Sequence, residues 1–110
     1  MKYRLSRIEI EVYGARAVLE GSAHDLENGR FWRSDNPRLK EMLDWETYQC
    51  IRIDRVLASP FPLLFTNWAI EAGRLVAERL RAAGMNVRII EEVPFEIYEP
   101  APPAEPGTVI

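Results

Sequence analysis

The chain has 110 residues, of which 47% are hydrophobic and 28% charged, and its net charge is −3. This length suits one domain with its own core, and the single cysteine, Cys50, excludes an internal disulfide framework. The negative charge argues against phosphate backbones as the main partner. No window approaches the roughly 18 apolar residues of a membrane span, and no signal-peptide pattern follows the start. We therefore expect a cytoplasmic protein without a membrane partner.

The first predicted element is a β-hairpin. Residues 7–12 alternate strictly between charged and apolar side chains, which is the pattern of a half-buried strand. Gly14 and Ala15 supply a tight turn, and residues 16–20 return as the second strand.

The next stretch is predicted as a loop, a short helix and a strand. Glycine, serine, asparagine and proline punctuate residues 21–37, which is typical of a loop. Pro37 suits the first position of a helix that runs to about Trp45. Residues 48–56 are then predicted as a third strand, and a helical continuation through the same residues is the alternative.

The clearest predicted element is an amphipathic helix over residues 63–83. Its polar side chains fall on a single stripe, and the opposite side is apolar. The apolar side is formed by Phe65, Ala69, Ala72, Val76, Leu80 and Ala83, with Trp68 and Leu75 on one flank. Gly84 supplies the left-handed residue that ends such a helix.

The last strand is predicted in two parts, residues 86–90 and 95–98. Pro94 separates them, and it marks a bulge, a bend or an edge because it has no amide hydrogen. The element order β-β-α-β-α-β predicts an α+β domain with an antiparallel or mixed sheet of about four strands and two helices on one face. This domain takes residues 1–99, and residues 100–110 form an extended proline-rich C-terminal tail.

No motif for catalysis, a metal or a cofactor emerges from the sequence. His24, the only histidine, lies beside Asp25 in the predicted loop, and these two are candidates for lining a pocket. Their spacing resembles no zinc or calcium loop. Cys50 is interpreted as a buried structural cysteine rather than a reactive thiol. We expect no cofactor and no metal, and the sequence favours a protein that is not an enzyme.

The most informative stretch combines basic and aromatic residues around the end of the predicted loop. The candidate interaction residues are Arg30, Phe31, Trp32, Arg33, Arg38 and Lys40. Arginine beside aromatic rings suits a protein interface, single-stranded nucleic acid, or local packing of the two rings beneath the loop. The negative net charge disfavours nucleic acid among these three.

The tail supplies a second set of candidates, Thr108, Val109 and Ile110, a pattern that other domains capture by strand addition. A tail without a role, or one lying across a neighbouring subunit, fits the same residues. We interpret the chain as a non-enzymatic interaction or assembly domain that binds itself, as a homodimer or higher oligomer, or another protein. The alternatives are a small-molecule-binding protein or small enzyme with a pocket near the 21–37 loop, and a single-stranded nucleic-acid-binding module.

Overall fold

The computed structural model describes residues 2–22, 28–54 and 65–99, with only the backbone given for residues 51–54. In chain order the elements are β1 (Lys2–Arg4), β2 (Arg7–Val12), β3 (Ala15–Glu20), β4 (Trp32–Arg33), α1 (Pro37–Asp54), α2 (Trp68–Ala82), β5 (Val87–Val93) and β6 (Glu96–Tyr98). The strands form a four-stranded antiparallel sheet in the order β4-β3-β2-β5 and a two-stranded ribbon of β1 and β6. The α+β class, the sheet of about four strands and the two helices confirm the prediction. Neither described helix is long and apolar enough to span a membrane.

The predicted hairpin is formed by β2 and β3. Its turn runs through Tyr13 and Gly14, whose φ angles of 48° and 85° are both in the left-handed region. Two consecutive positive φ angles fit the two-residue turn of type I′, which matches the twist of the flanking strands. The turn therefore begins one residue earlier than the predicted turn at Gly14 and Ala15.

The inward face of the sheet and both helices share one hydrophobic core. Ile8, Ile10 and Leu19 of the hairpin have no exposed surface, and α1 and α2 both pack on this side. Gly73 allows α2 to approach β2 closely, because a Cβ atom at this position would lie 2.4 Å from Cγ2 of Ile8. The backbone of α2 consequently rests almost directly on the central strand.

Helix α1 continues through most of the stretch predicted as a third strand, so that prediction is wrong for residues 48–54. Residues 55 and 56 lie outside the described ranges. The buried residues of α1 recur at spacings of four, four and three, which is the period of one helical face. They are Leu39, Leu43, Thr47 and Cys50, and Asp44 is buried beside Leu43. The fourth strand is instead β4, which lies inside the segment predicted as a loop and pairs with β3.

Helix α2 begins later than predicted, at Trp68, with Asn67 as its N-cap residue. Phe65 is therefore not on the buried side of the helix, and it is 43% exposed. Ala83, at the other end, is also exposed because it follows the last helical residue. Both corrections shorten the apolar side of the helix to residues within 68–80.

The end of α2 is confirmed at Gly84, whose φ angle is 88°. The N–H of Gly84 donates to the carbonyl of Arg81 (2.9 Å), and the N–H of Met85 donates to the carbonyl of Leu80 (3.0 Å). These two bonds form a Schellman motif, which satisfies carbonyl groups that the last turn would otherwise leave without donors.

The ribbon of β1 and β6 continues the β2–β5 ladder in the same register. Arg7 lies opposite Val93 at the end of the sheet, and Arg4 lies opposite Glu96 at the start of the ribbon. Two residues on each strand separate the two ladders. One of them is Pro94, which has no N–H with which to continue the pairing. The interruption predicted at Pro94 is thus the point where the ribbon leaves the sheet.

A β-bulge in β5 determines which side chains of this strand face the helices. The pairing of β2 with β5 shifts between Glu9 and Ile10, which leaves Ile90 as the extra residue on β5. Beyond the bulge, Glu92 projects toward α2, where it pairs with Arg74. Without the extra residue, the sequence of β5 would place this carboxylate on the opposite face.

Candidate interaction surfaces

Phe31 and Trp32, two of the predicted interaction residues, are buried in the core. Oδ1 of Asp44 on α1 accepts hydrogen bonds from the backbone N–H groups of Phe31 (2.9 Å) and Trp32 (2.7 Å). The indole Nε1–H of Trp32 donates to Oγ1 of Thr47 (2.7 Å). With exposed fractions of 3% and 1%, neither ring can contact a partner in this fold. Their interpretation as exposed anchors is therefore corrected, and the local-packing alternative describes them.

The four basic residues of the same predicted set are spread over different surfaces. Arg33 pairs with Glu20 on the sheet (3.1 Å), and Arg38 lies exposed in the first turn of α1. Arg30 and Lys40, in contrast, line a common groove. Because single-stranded nucleic acid requires a continuous basic track, this arrangement does not favour the nucleic-acid alternative.

The sheet face that points away from the helices carries charges that compensate one another. Glu9 lies within salt-bridge distance of Arg7 (3.8 Å) and Arg16 (4.0 Å). Glu11 lies 3.9 Å from Arg16 and 3.3 Å from Arg88. The arginine side chains are 40–65% exposed, and partly exposed pairs of this kind contribute little to stability. Stacking another sheet on this face would remove these charges from water. The outer face is therefore a poor surface for stacking one sheet on another.

One face of the ribbon is apolar and exposed. Tyr3 lies directly opposite Ile97, and such cross-strand partners project on the same side. Phe65 and Phe95 pack against Tyr3, with their ring centroids 5.3 Å and 6.5 Å from that of the tyrosine. Tyr3 remains 49% exposed and Ile97 55% exposed. These four residues are called the apolar ribbon face below.

The other face of the ribbon is polar. Arg4 pairs with Glu96 at 2.6 Å on this face. Tyr98 projects on the same side, because it follows Ile97 along β6 and consecutive strand residues point to opposite faces. The base of the ribbon is fixed to the domain by Asn67, whose Oδ1 accepts a hydrogen bond from the N–H of Phe95 (2.6 Å). The ribbon is thus an amphipathic projection with a defined orientation relative to α2.

A second surface feature is an open groove of about 720 Å³ beside α1, called the α1 groove below. Trp45 and Tyr48 lie about one helical turn apart and stack with 6.2 Å between their ring centroids and 24° between their planes. Trp45 projects away from the core and is 58% exposed, whereas Tyr48 is half-buried and also packs against the core. The other lining residues are Asn28, Gly29, Arg30, Pro37, Lys40, Glu41 and Asp44.

The charges of the α1 groove are only partly paired. Lys40 forms an ion pair with Asp44, whose other oxygen already holds the backbone of β4. Arg30 is exposed and has no ion-pair partner among the residues that the structure describes. Glu41, the residue after Lys40, is exposed, lines the same groove and also has no ion-pair partner among the described residues. The groove therefore presents one unpaired cation, Arg30, and one unpaired anion, Glu41.

Arg74 and Glu92 form a two-point ion pair where α2 meets the sheet edge. Nε of Arg74 donates to Oε1 of Glu92 (3.0 Å), and Nη2 donates to Oε2. The hydrogen bond from Arg74 lowers the pKa of Glu92 below its usual range, partly opposed by burial of the carboxylate and reinforced by the arginine charge. The same bond raises the pKa of Arg74. Both directions favour the charged forms of the two side chains.

The remaining predicted site residues lie outside the described ranges. They are the pocket candidates His24 and Asp25 and the tail candidates Thr108, Val109 and Ile110. Cys50 is buried, with 1% exposure, as expected, although it lies on a helix rather than a strand. Within residues 2–22, 28–54 and 65–99, no group of three or more His, Cys, Asp or Glu side chains is placed to hold a metal ion.

The residues that define the two exposed apolar surfaces are missing from the sequence-based candidates. Trp45 and Tyr48 are three positions apart, a helical spacing, but the predicted helix ends between them. The alternation of residues 95–98 places Phe95 and Ile97 on one side of a strand, while their partner Tyr3 precedes the first predicted strand. No protein-family model, curated protein or solved structure matches the chain, so its function has to be inferred from the apolar ribbon face and the α1 groove.

Proposed function

We propose that this chain is a non-enzymatic assembly domain that forms a homodimer through its apolar ribbon face. The amphipathic ribbon carries the proposal: Tyr3 and Ile97 are about half exposed on one side, while charged residues occupy the other. Removing apolar surface from water contributes about 25 cal/mol per Å². Burying this face against a partner would therefore favour association, because the face is exposed to water in the described part of the monomer.

A second copy of the chain fits this surface without any further component. In a two-fold symmetric dimer the same residues meet from both sides, so one apolar patch is sufficient to build the interface. Aromatic rings favour edge-to-face contacts, as Tyr3 and Phe65 already make at an interplanar angle of 65°. The hydrogen bond between Asn67 and Phe95 fixes the base of the ribbon. Less conformational entropy is therefore lost when the ribbon associates with a partner.

Two other routes to self-association are less favourable. The outer face of the sheet is covered by compensated ion pairs, which would have to be desolvated. Strand β5 lies at the edge of the sheet, but the bulge at Ile90 and the charged residues Arg88, Glu91 and Glu92 disfavour pairing with another strand. The apolar ribbon face carries neither compensated ion pairs nor a bulge with charged residues.

Sedimentation equilibrium of the full chain across the micromolar range tests the proposal. We expect the unmodified chain to be a dimer at tens of micromolar. Ile97→Ser removes one exposed apolar side chain from each copy and is expected to weaken the dimer by about tenfold or more. Because Ile97 lies outside the core, the circular dichroism spectrum is expected to stay unchanged.

Tyr98→Ser is the matched control for this experiment. Tyr98 is the adjacent residue, is 44% exposed and projects from the polar face of the ribbon, so its loss is expected to leave the dimer intact. An unmodified chain that stays monomeric at these concentrations would contradict the proposal. Equal weakening by the Ile97 and Tyr98 substitutions would contradict the assignment of the interface to the apolar ribbon face.

A further inference from the structure

We infer that the α1 groove binds a free aromatic amino acid, which is a small zwitterion with an aromatic side chain. The groove supplies two aromatic rings side by side, one unpaired cation and one unpaired anion. It shares no residue with the apolar ribbon face, so this ligand site is independent of the proposed dimer.

The contacts of its two neighbours place Arg30 alongside α1. Gly29 lies against Tyr48, because a Cβ atom at this glycine would be 3.8 Å from Cδ2 of the tyrosine. The N–H of Phe31 donates to Oδ1 of Asp44 (2.9 Å). The chain therefore passes from Tyr48 to Asp44 along the helix, and Arg30 lies beside the helical turn between these two residues.

The same turn of α1 carries Trp45, and Glu41 precedes Trp45 by four residues. Side chains four residues apart are neighbours on the surface of a helix, so the carboxylate of Glu41 lies next to the indole. Arg30 and Glu41 thus flank Trp45 on the wall of the groove. Neither has an ion-pair partner within the described part of the chain.

The charges of the groove favour a ligand that carries both signs. Lys40 and Asp44 neutralise each other, which leaves Arg30 and Glu41 to pair with a ligand. A ligand with a single charge would pair with one of these groups and would remove the other from water without compensation, which costs free energy. A zwitterion compensates both, because its carboxylate accepts hydrogen bonds from Arg30 and its ammonium group donates to Glu41.

The aromatic pair suits the uncharged part of the ligand. Trp45 is 58% exposed and stacks on Tyr48 with 6.2 Å between the ring centroids. A third ring gains further aromatic contacts on this pair. An ammonium group held by Glu41 lies close to the indole, where a cation–π contact adds to the ion pair. The groove volume of about 720 Å³ lies within the range that ligand sites usually have.

Titration of the full chain with L-phenylalanine, followed by NMR, tests this site. The indole N–H signal of Trp45 is expected to shift and to saturate in the millimolar range. The signals of Trp32 and Trp68 are internal references, because both indoles are buried and hydrogen-bonded. 3-Phenylpropanoate lacks the ammonium group and phenethylamine lacks the carboxylate, and each is expected to bind about fivefold more weakly. Free glycine keeps both charges but has no ring, and it is expected to bind more weakly as well.

Two charge variants isolate the contacts of the ligand. Arg30→Gln is expected to weaken the binding of L-phenylalanine about fivefold and to make the groove prefer phenethylamine over 3-phenylpropanoate. Glu41→Gln is expected to cause a similar loss and the opposite preference. Both residues are exposed, so the circular dichroism spectrum is expected to stay unchanged. Arg38→Gln and Glu78→Gln are the matched controls, since these exposed residues do not line the groove.

A Trp45 signal that does not move when L-phenylalanine is added would overturn this site. Equal affinities for L-phenylalanine and its two singly charged analogues would overturn it too, because the charges would then select nothing. The same holds if neither groove substitution changes the affinity. The titration is repeated with the Ile97→Ser variant to separate ligand binding from dimerisation. Binding of L-phenylalanine by a chain that stays monomeric would support the site even though it contradicts the proposed dimer.

Discussion

The indole Nε1–H of Trp32 donates a hydrogen bond of 2.7 Å to Oγ1 of Thr47, and both residues are buried. The hydroxyl of Thr47 donates in turn to the carbonyl of Leu43 (2.8 Å). Since Asp44 binds the backbone of the same tryptophan, strand β4 is fastened to α1 by polar bonds as well as by packing. The short strand therefore depends on α1 for its position.

Thr47→Val removes this acceptor while it preserves the shape of the side chain. We expect the free energy of unfolding to fall by about 1–3 kcal/mol, because the indole N–H of Trp32 is left buried without an acceptor. Thr47→Ser keeps the hydroxyl and is expected to lose less. Urea denaturation of both variants measures the difference. A loss for Thr47→Ser as large as that for Thr47→Val would show that the hydroxyl group contributes no more to stability than the methyl group of the threonine.

Gly73→Ala is expected to destabilise the protein although alanine is the better helix former. On an exposed helix surface this substitution would stabilise by about 1 kcal/mol. Here the new methyl group would lie 2.4 Å from Cγ2 of Ile8, and overpacking of this kind costs about 1–3 kcal/mol. Thermal and urea denaturation measure the change. A stability equal to or above that of the unmodified chain would show that α2 can shift away from β2 without cost.

The ion pair between Arg74 and Glu92 predicts a pH dependence below the ordinary pKa of a glutamate. Because the pKa of Glu92 is lowered in the folded state, the pair stabilises the fold above the unfolded-state pKa of about 4.3. This contribution disappears as the pH falls through the lower folded-state pKa. Arg74→Met is therefore expected to reduce the loss of unfolding free energy between pH 7 and pH 3.

Arg38→Met provides the control for this pH series, since it removes an exposed arginine of the same type from α1. Its stability is expected to fall with pH as steeply as that of the unmodified chain. Urea denaturation at several pH values compares the three proteins. If the unfolding free energy of the Arg74→Met variant fell with pH in parallel with that of the unmodified chain, the ion pair would be screened too strongly by solvent to contribute to stability.

The elements that were predicted correctly are those with a regular pattern of apolar and polar residues or a distinctive terminal residue in the sequence. The alternation of residues 7–12 and the glycine at position 84 lead directly to β2 and to the end of α2. Residues 51–54 alternate as well, but only over a short window, in which strand and helix periods are difficult to distinguish. The spacing of Leu43, Thr47 and Cys50 extends over a longer window and has the helical period.

The candidate sites depend on contacts between distant residues and are less predictable. The burial of Trp32 requires Asp44 and Thr47, which lie 12 and 15 residues further along the chain and meet it only after α1 packs on the sheet. Arg30 and Lys40 are the two predicted interaction residues that line the α1 groove. Trp45 and Tyr48 beside them are apparent only when the helix is extended to its full length.

The two connections between the sheet and the ribbon have the same length, residues 5–6 on one strand and residues 94–95 on the other. Since consecutive strand residues project to opposite sides, gaining or losing one residue in a single connection would reverse one strand of the ribbon. Tyr3 or Ile97 would then point to the charged side, and the cross-strand pair would be lost. Insertions and deletions in these connections are therefore expected to be tolerated only when they occur in both strands together.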